Sequence, residues 1–210
     1  DNSYPNVFYD DLAGVFRCYY STFTDDVESE KYSLEERKTR QYRPETSRIV
    51  SLCYAESKDG ENWVKPNLGL TDFRGSKDNN IIGHFLHGTS VFLDKHESDE
   101  SRRYKMFTKI DYGNGVHFIA VAFSKDGIHF DEYIKVSNFN PRADTHNHII
   151  YDESLNRYVL ITRTWRDSLR LPCVSTSEDF VNWTPIQEIL NVCDYDNQIY
   201  SMPIFKRGDY

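Results

Sequence analysis

The sequence is poor in sulfur and has no long apolar run. It carries 2 methionines and 4 cysteines among 210 residues, and no stretch approaches the roughly 20 apolar residues of a membrane-spanning helix. Membrane insertion is therefore not expected.

The cysteines, at 18, 53, 173 and 193, lack the close spacing of a metal site. We expect buried thiols, and a bridge between Cys18 and Cys53 on neighbouring strands stays open.

A secretory signal peptide is also missing from the start of the chain. A chain that starts at Asp1 is expected to be either a mature exported protein or a trimmed one. A secreted or periplasmic location is favoured over a cytoplasmic one, although the compartment stays open.

Basic residues are in deficit. Lysine and arginine number 25 against 33 acidic residues, which gives a formal net charge of −8. No basic stripe offsets the acidic excess, so a nucleic-acid partner is not expected. Aromatic residues make up 15% of the chain, a composition that suits pleated sheets and sugar-binding walls. No cofactor is predicted.

One turn motif, Ser-x-Asp followed by a turn and an aromatic residue, occurs three times. The copies span 57–63, 124–130 and 177–183, the last with Phe180 in place of glycine. Asp-Gly favours the tight turn of a β-hairpin, and alternating apolar residues precede the turns. Three copies, each followed by another strand-like segment, indicate a structural repeat.

Each repeat reads as four antiparallel strands, which predicts an all-β fold of propeller blades. The turn aspartates are 67 and then 53 residues apart. The predicted single domain covers 1–210, with blades at about 4–70, 88–137, 146–190 and a partial one at 199–210. Since the fourth unit stops after one strand, we expect the missing blades to come from the rest of the natural chain or from another chain.

The main departure from the repeat is a charged segment, Asp25 to Glu45, between the second and third strands of the first blade. It is expected to be a solvated loop or a short helix that begins near Ser33. The glycine- and asparagine-rich stretch from Pro66 to His87 reads as a long loop that leads into the second blade.

Strand direction predicts where a functional site lies. The Asp-Gly turns fall on one face, whereas the starts of the four first strands meet on the other, at the channel mouth. Of the segments there, 142–148 is the richest in polar groups. Alternation would aim Asp144, His146 and His148 to one side and Thr145 and Asn147 to the other. The histidines could ligate a metal with Asp144, but channel hydrogen bonding is favoured, and no metal is predicted.

Two carboxylates across a narrow channel are what glycosidic-bond cleavage requires. Asp144 and Asp196 form the predicted catalytic pair. Arg142 is expected either to hold Asp144 ionised or to bind substrate. The predicted substrate-binding residues are Arg142, His146, Asn147, His87, Asn197, Tyr4 and Tyr200.

The repeated turns, the stretch 63–70 and the segment Arg142-x-Asp144-Thr145 resemble the five-bladed propeller proteins related to glycoside hydrolase families 32 and 43. The resemblance implies a funnel at one end of the channel where carboxylates from different blades act on a sugar. Those enzymes usually carry Asp-Pro in the first blade, where this chain has Tyr4-Pro5. Asp1 or Asp10 would then be a displaced substitute, or the site would be inactive. The acid glutamate of the family has no clear counterpart.

Three functions follow from these patterns. The first is a glycoside hydrolase acting on an oligo- or polysaccharide. The second is a propeller that binds carbohydrate without cleaving it, and the third is an interaction scaffold that uses the segment 25–45. A rival resemblance, to sialidases, would require Arg142, Arg163 and Arg166 to converge on a substrate carboxylate.

Overall fold

Alternating apolar residues produce three antiparallel sheets in the computed structural model, which describes residues 4–41, 48–113, 115–137, 139, 141–190 and 196–207. The first sheet contains β1 (Asn6–Asp10), β2 (Val15–Asp25), β3 (Ile49–Ser57) and β4 (Trp63–Val64), with β5 (Ile81–His84) also paired to β3. The second contains β6 (Leu86–Leu93), β7 (Tyr104–Asp111), β8 (His117–Ser124) and β9 (Ile134–Lys135). The third contains β10 (His148–Asp152), β11 (Arg157–Arg166), β12 (Leu169–Ser177) and β13 (Gln187–Glu188). These sheets are blades of a partial β-propeller, as predicted.

The repeated turn connects the third and fourth strands of every blade. Ser57 Oγ accepts a hydrogen bond from the Gly60 amide at 2.9 Å, and Asp59 Oδ1 accepts from the amide of Asn62 at 2.7 Å. Gly60 has a φ of 80°, which glycine adopts at little cost. Phe180 takes this position in the third copy with a φ of 68°, and its ring is completely buried. Packing of the ring compensates there for the less favourable backbone.

Apolar side chains between neighbouring blades form two cores. One lies between the first and second blades, around Tyr19, Leu52 and Met106, and the other lies between the second and third, around Phe107 and Leu160. Burial of these faces is the main force that holds successive blades together.

A buried tyrosine–aspartate contact also joins each blade to the next. Tyr104 donates to Asp10 Oδ2 at 2.5 Å, and Tyr158 donates to Asp94 Oδ2 at the same distance. Asp10 is the last residue of β1, and Asp94 directly follows the last residue of β6. The sequence analysis missed this repeat because its partners are far apart in the chain.

The charged segment forms two short helices, α1 (Val27–Glu30) and α2 (Leu34–Thr39). Ser33 and Glu36 make a complete capping box at the start of α2, which confirms the predicted helix start. Arg74 pairs with Asp25 and Glu30 and so ties α1 to the loop before β5. One 3-10 turn, Glu100–Arg102, precedes β7.

The structure departs from one alternative that the sequence left open, a Cys18–Cys53 bridge, and from one predicted strand. Cys18 and Cys53 are free thiols, because Cys18 stands opposite Ala55 and Cys53 opposite Tyr20. Cys18 is also only half-buried, and Cys193 lies outside the described residues. The strand expected to start the fourth blade is not formed within 196–207. That segment instead contacts the third blade, where Lys206 pairs with Asp152 at 2.8 Å.

Candidate functional site at the channel mouth

The first strands of the three blades begin on the same face, and their entry segments meet there. The ring of Tyr4, just before β1, lies 5.9 Å from the His87 ring and 6.0 Å from the His146 ring, measured between centroids. His146 Nε2 also lies 3.5 Å from Asn6 Oδ1. Three predicted substrate-binding residues from three blades are thus brought together.

Asn147 fixes the segment 142–148 to the second blade. Its Nδ2 donates to the carbonyls of Gly88 at 2.7 Å and Ala143 at 3.1 Å, and its Oδ1 accepts from Thr162 Oγ1 at 2.6 Å. The side chain is completely buried. Asn147 therefore uses its polar atoms to position the segment.

The alternation predicted for this segment is confirmed. Thr145 and Asn147 are buried, whereas Asp144, His146 and His148 keep partial exposure. Regular strand structure begins only at His148.

Asp144 is held by two side chains of β11. Its Oδ1 lies 2.9 Å from Arg163 Nη2, and the indole nitrogen of Trp165 lies 3.2 Å from Oδ1 and 3.3 Å from Oδ2. Burial raises the pKa of Asp144, but hydrogen bonds and the charge of Arg163 outweigh burial, so the pKa is lowered. The carboxylate is ionised, and about a third of its side chain stays exposed.

Arg163 therefore has the role that the sequence analysis considered for Arg142. Arg142 is exposed, whereas only 3% of Arg163 is exposed. Sequence proximity favoured Arg142, but the register of β11 decides which arginine faces Asp144.

The segment after the third blade packs against this ion pair. Arg163 Nη1 donates to the Tyr200 carbonyl at 2.7 Å, and the Tyr200 hydroxyl lies 2.8 Å from the Tyr4 hydroxyl. Arg170 donates to Gln198 Oε1 at 3.1 Å. Asp196 and Asn197, both exposed, directly precede this anchored stretch. Tyr200 thus belongs to the mouth, and Asp196 lies in the adjoining surface segment.

The mouth histidines are neutral at pH 7. Burial, reinforced by the charge of Lys109, lowers the pKa of His87 to about 4. Burial and the nearby His148 lower the pKa of His146 to about 4 as well. His148 Nδ1 accepts from the Ile204 amide at 3.2 Å. No group of three metal-ligating side chains occurs in the described part of the chain.

A cleft of about 870 Å³ extends from the mouth to the charged segment with α1 and α2, which we call the helical insertion. Tyr4 and His87 line it at the mouth, β2 lines one side, and Tyr32 and Arg37 line it from the insertion. The sequence analysis treated the insertion as a solvated segment. The insertion connects the second and third strands of the first blade, and such connections lie on the same face as the mouth. That position in the sequence could have predicted that the insertion lines the site.

Two alternatives from the sequence are wrong in the structure. Asp10 ends β1, far along the strand from its start at Asn6, and is completely buried in contact with Arg17 and Tyr104. It cannot replace a carboxylate at the mouth, and Asp1 lies outside the described residues.

The three arginines of the sialidase alternative do not converge. Arg163 pairs with Asp144, whereas Arg166 pairs with Glu188 at 2.6 Å.

The described residues contain no helix that is long and apolar enough to cross a membrane.

The chain matches no family model and no curated protein. Its fold does match solved structures, and these include glycoside hydrolases of propeller families, family 43 among them. The predicted resemblance in fold is thereby confirmed.

Three of these structures show the extent of the match. A β-1,2-mannobiose phosphorylase from Listeria innocua has a TM-score of 0.57 and 12% identity over 91% of this chain and 59% of its own. An N-acetylgalactosamine deacetylase from F. plautii has a TM-score of 0.54 and 15% identity over 87% and 52%. A fructofuranosidase from Schwanniomyces occidentalis has a TM-score of 0.52 and 16% identity over 87% and 33%. The chain thus spans between a third and three fifths of the length of these proteins.

Proposed function

We propose that this chain is part of a carbohydrate-active propeller that binds a sugar at the channel mouth and cleaves a glycosidic bond there. The observation that carries the proposal is Asp144, an ionised carboxylate held by Arg163 and Trp165 and still partly exposed. The Tyr200 ring lies 4.8 Å from the guanidinium of Arg163, and the Tyr200 hydroxyl contacts that of Tyr4. Aromatic faces next to a fixed carboxylate suit a sugar ring and its reacting carbon.

The environment of Asp144 decides its role within the proposed pair. A carboxyl group whose pKa is lowered stays ionised, so Asp144 would serve as base or nucleophile. The second group must protonate the leaving oxygen, and Asp196 is proposed for that step. Gln198, two residues later, is anchored to Arg170 beside Trp165, which supports a position of Asp196 near Asp144.

The remaining predicted residues would contact the sugar or position those that do. His87 and His146 are neutral and can exchange hydrogen bonds with hydroxyl groups. Arg142, Asn197, Tyr4 and Tyr200 stay proposed substrate contacts. Asn147 would act indirectly, because its buried amide holds the segment that carries Asp144.

Binding without cleavage is the second proposal. It is favoured because the pKa values of Asp144, His87, His146 and His148 at the mouth are all lowered. None of these groups is kept protonated at neutral pH. A protein of this kind would bind sugars through its aromatic rings and turn over none of them.

A substrate panel separates the two proposals. The full-length protein would be incubated with β-1,2-mannobiose, fructosylnystose and blood group B trisaccharide, which are named for the similar structures, and also with aryl glycosides. Each reaction would be run with and without inorganic phosphate, since one similar protein is a phosphorylase. Turnover supports cleavage. Binding with no turnover supports the second proposal, and neither binding nor turnover contradicts both.

The role of Asp196 has its own test. Asp196→Asn should lower turnover of sugars with poor leaving groups by about 10²- to 10⁴-fold, because the proton donor is removed. Aryl glycosides with acidic phenol leaving groups need little protonation and should be much less affected. Equal losses on both substrate types would contradict the assignment. The matched control is Asp131→Asn, at an exposed residue between β8 and β9.

A further inference from the structure

The cleft between the mouth and the helical insertion has walls from different parts of the chain. Ser21 and Thr22 of β2 line one side, His87 lines the mouth end, and Tyr32 and Arg40 line the insertion end. The guanidinium of Arg40 lies 3.6 Å from the centre of the Tyr32 ring. Because Arg74 pairs with Asp25 and Glu30, the insertion is held against the sheet. The fold therefore holds the walls of the cleft in place.

Two polar atoms of residues that line this cleft are buried without a hydrogen-bond partner among the described residues. They are Ser21 Oγ and His87 Nδ1. Ser21 is only 3% exposed. Buried polar atoms are nearly always hydrogen-bonded, because leaving one unpaired is costly. Two such atoms, in two residues that line the same cleft, point to a ligand that supplies both donors and acceptors.

Charges along the cleft identify the class of ligand. The carboxylates of Asp26, Glu28 and Glu30 are matched by the cations Arg37, Lys38 and Arg40. His87 adds no charge at neutral pH, because its pKa is about 4. A balanced lining offers no net attraction to an anion or a cation. Hydroxyl groups and an aromatic face therefore suit a neutral sugar.

We propose that this cleft is a subsite for a second, neutral sugar unit, with Ser21 and His87 hydrogen-bonding its hydroxyl groups and Tyr32 contacting its ring. The inference rests on the proposed function, since the first sugar unit would lie at Asp144. His87 lies at the junction, because it contacts Tyr4 at the mouth and lines the cleft. The preferred ligands are thus neutral oligosaccharides of at least two units.

The test varies the length of the sugar and removes one buried hydroxyl group of the protein, that of Ser21. Calorimetry on the full-length protein would measure binding of β-1,2-mannobiose, fructosylnystose and blood group B trisaccharide beside mannose, fructose and galactose. Ser21→Ala should weaken binding of the preferred oligosaccharide about three- to tenfold, the equivalent of one hydrogen bond. The matching monosaccharide should bind Ser21→Ala and the unaltered protein equally. The Tm of this variant should not fall, because the hydroxyl group makes no bond in the protein.

Tyr32→Ala provides a second variant and should also weaken only oligosaccharide binding. The control is Ser154→Ala, at an exposed turn outside the cleft. The subsite is wrong if oligosaccharides bind no more tightly than monosaccharides, or if both cleft variants bind them normally; in either case the proposed function still stands. If no sugar binds at all, the proposed function and the subsite both fail.

Discussion

Individual side chains at the mouth are specified by partners that lie far away in the sequence. Asp144 was recognisable as a polar residue before a first strand, but Arg163 and Trp165 follow it by 19 and 21 residues. Their contact depends on the register of β10 with β11, which places His148 opposite Ile161. Sequence patterns locate the carboxylate, whereas its electrostatic environment requires the fold.

The buried tyrosine–aspartate contact between blades should be important for stability. Asp94 is 1% exposed and accepts a hydrogen bond from Tyr158. Tyr158→Phe removes this donor from a buried carboxylate and should lower the free energy of unfolding by about 1–3 kcal/mol. Urea denaturation measures the change. Tyr151→Phe removes a hydroxyl group that bonds Asn156 at the surface and should cost much less. Equal effects would contradict the role of the contact.

Stability should also depend on pH through the mouth histidines. Folding lowers the pKa of His87 and His146 from 6.5 to about 4. Between these pH values the unfolded chain binds more protons than the folded one, so the free energy of unfolding falls as pH falls from 6.5 to 4. His87→Gln or His146→Gln should make this decline less steep, as measured by urea denaturation at several pH values. His117→Gln, at an exposed strand end, is the control. An unchanged slope in both mouth variants would contradict the burial of neutral imidazoles.

At the scale of elements, local signals were reliable and long-range ones were not. The turn motif and the capping box at Ser33 act over three or four residues, so the sequence could predict both. The strand expected at 200–205 has apolar alternation but makes no strand pairing among the described residues. Strand pairing requires a partner edge as well as a suitable sequence.

A close approach between blades at Gly88 tests how the mouth segment is positioned. A Cβ atom at this residue would lie 2.0 Å from the Thr145 carbonyl oxygen, and the φ is 60°. Gly88→Ala should therefore displace the segment that carries Asp144. Gly14→Ala is the matched control, because Gly14 has a φ of 68° but no atom within 4 Å of the added carbon.

The control should lose only the cost of a left-handed alanine, about 1–2 kcal/mol. Gly88→Ala should lose more stability and also weaken sugar binding. Both quantities can be measured on the same preparation, by thermal unfolding and calorimetry. If the two variants behave alike, the contact between Gly88 and the segment 142–148 does not position the site.

At the scale of the whole molecule, the repeat predicted the architecture but not the extent of the site. Three turn motifs identified three blades, and strand direction placed the mouth on the opposite face. The cleft was missed because it requires the insertion to fold over β2, and composition alone does not show that. The chain spans between a third and three fifths of the length of the similar structures, so their whole-protein activities enter here only as proposals.

Turnover by Asp144→Asn in the full-length protein is the most direct test of the central proposal. Asparagine keeps the shape of the side chain but removes the negative charge that Arg163 and Trp165 hold in place. We predict a loss of at least about 10²-fold in kcat on the best sugar of the panel, with Asp131→Asn unchanged and sugar binding largely retained. Normal turnover by a folded Asp144→Asn protein would contradict the proposal that this carboxylate acts in catalysis.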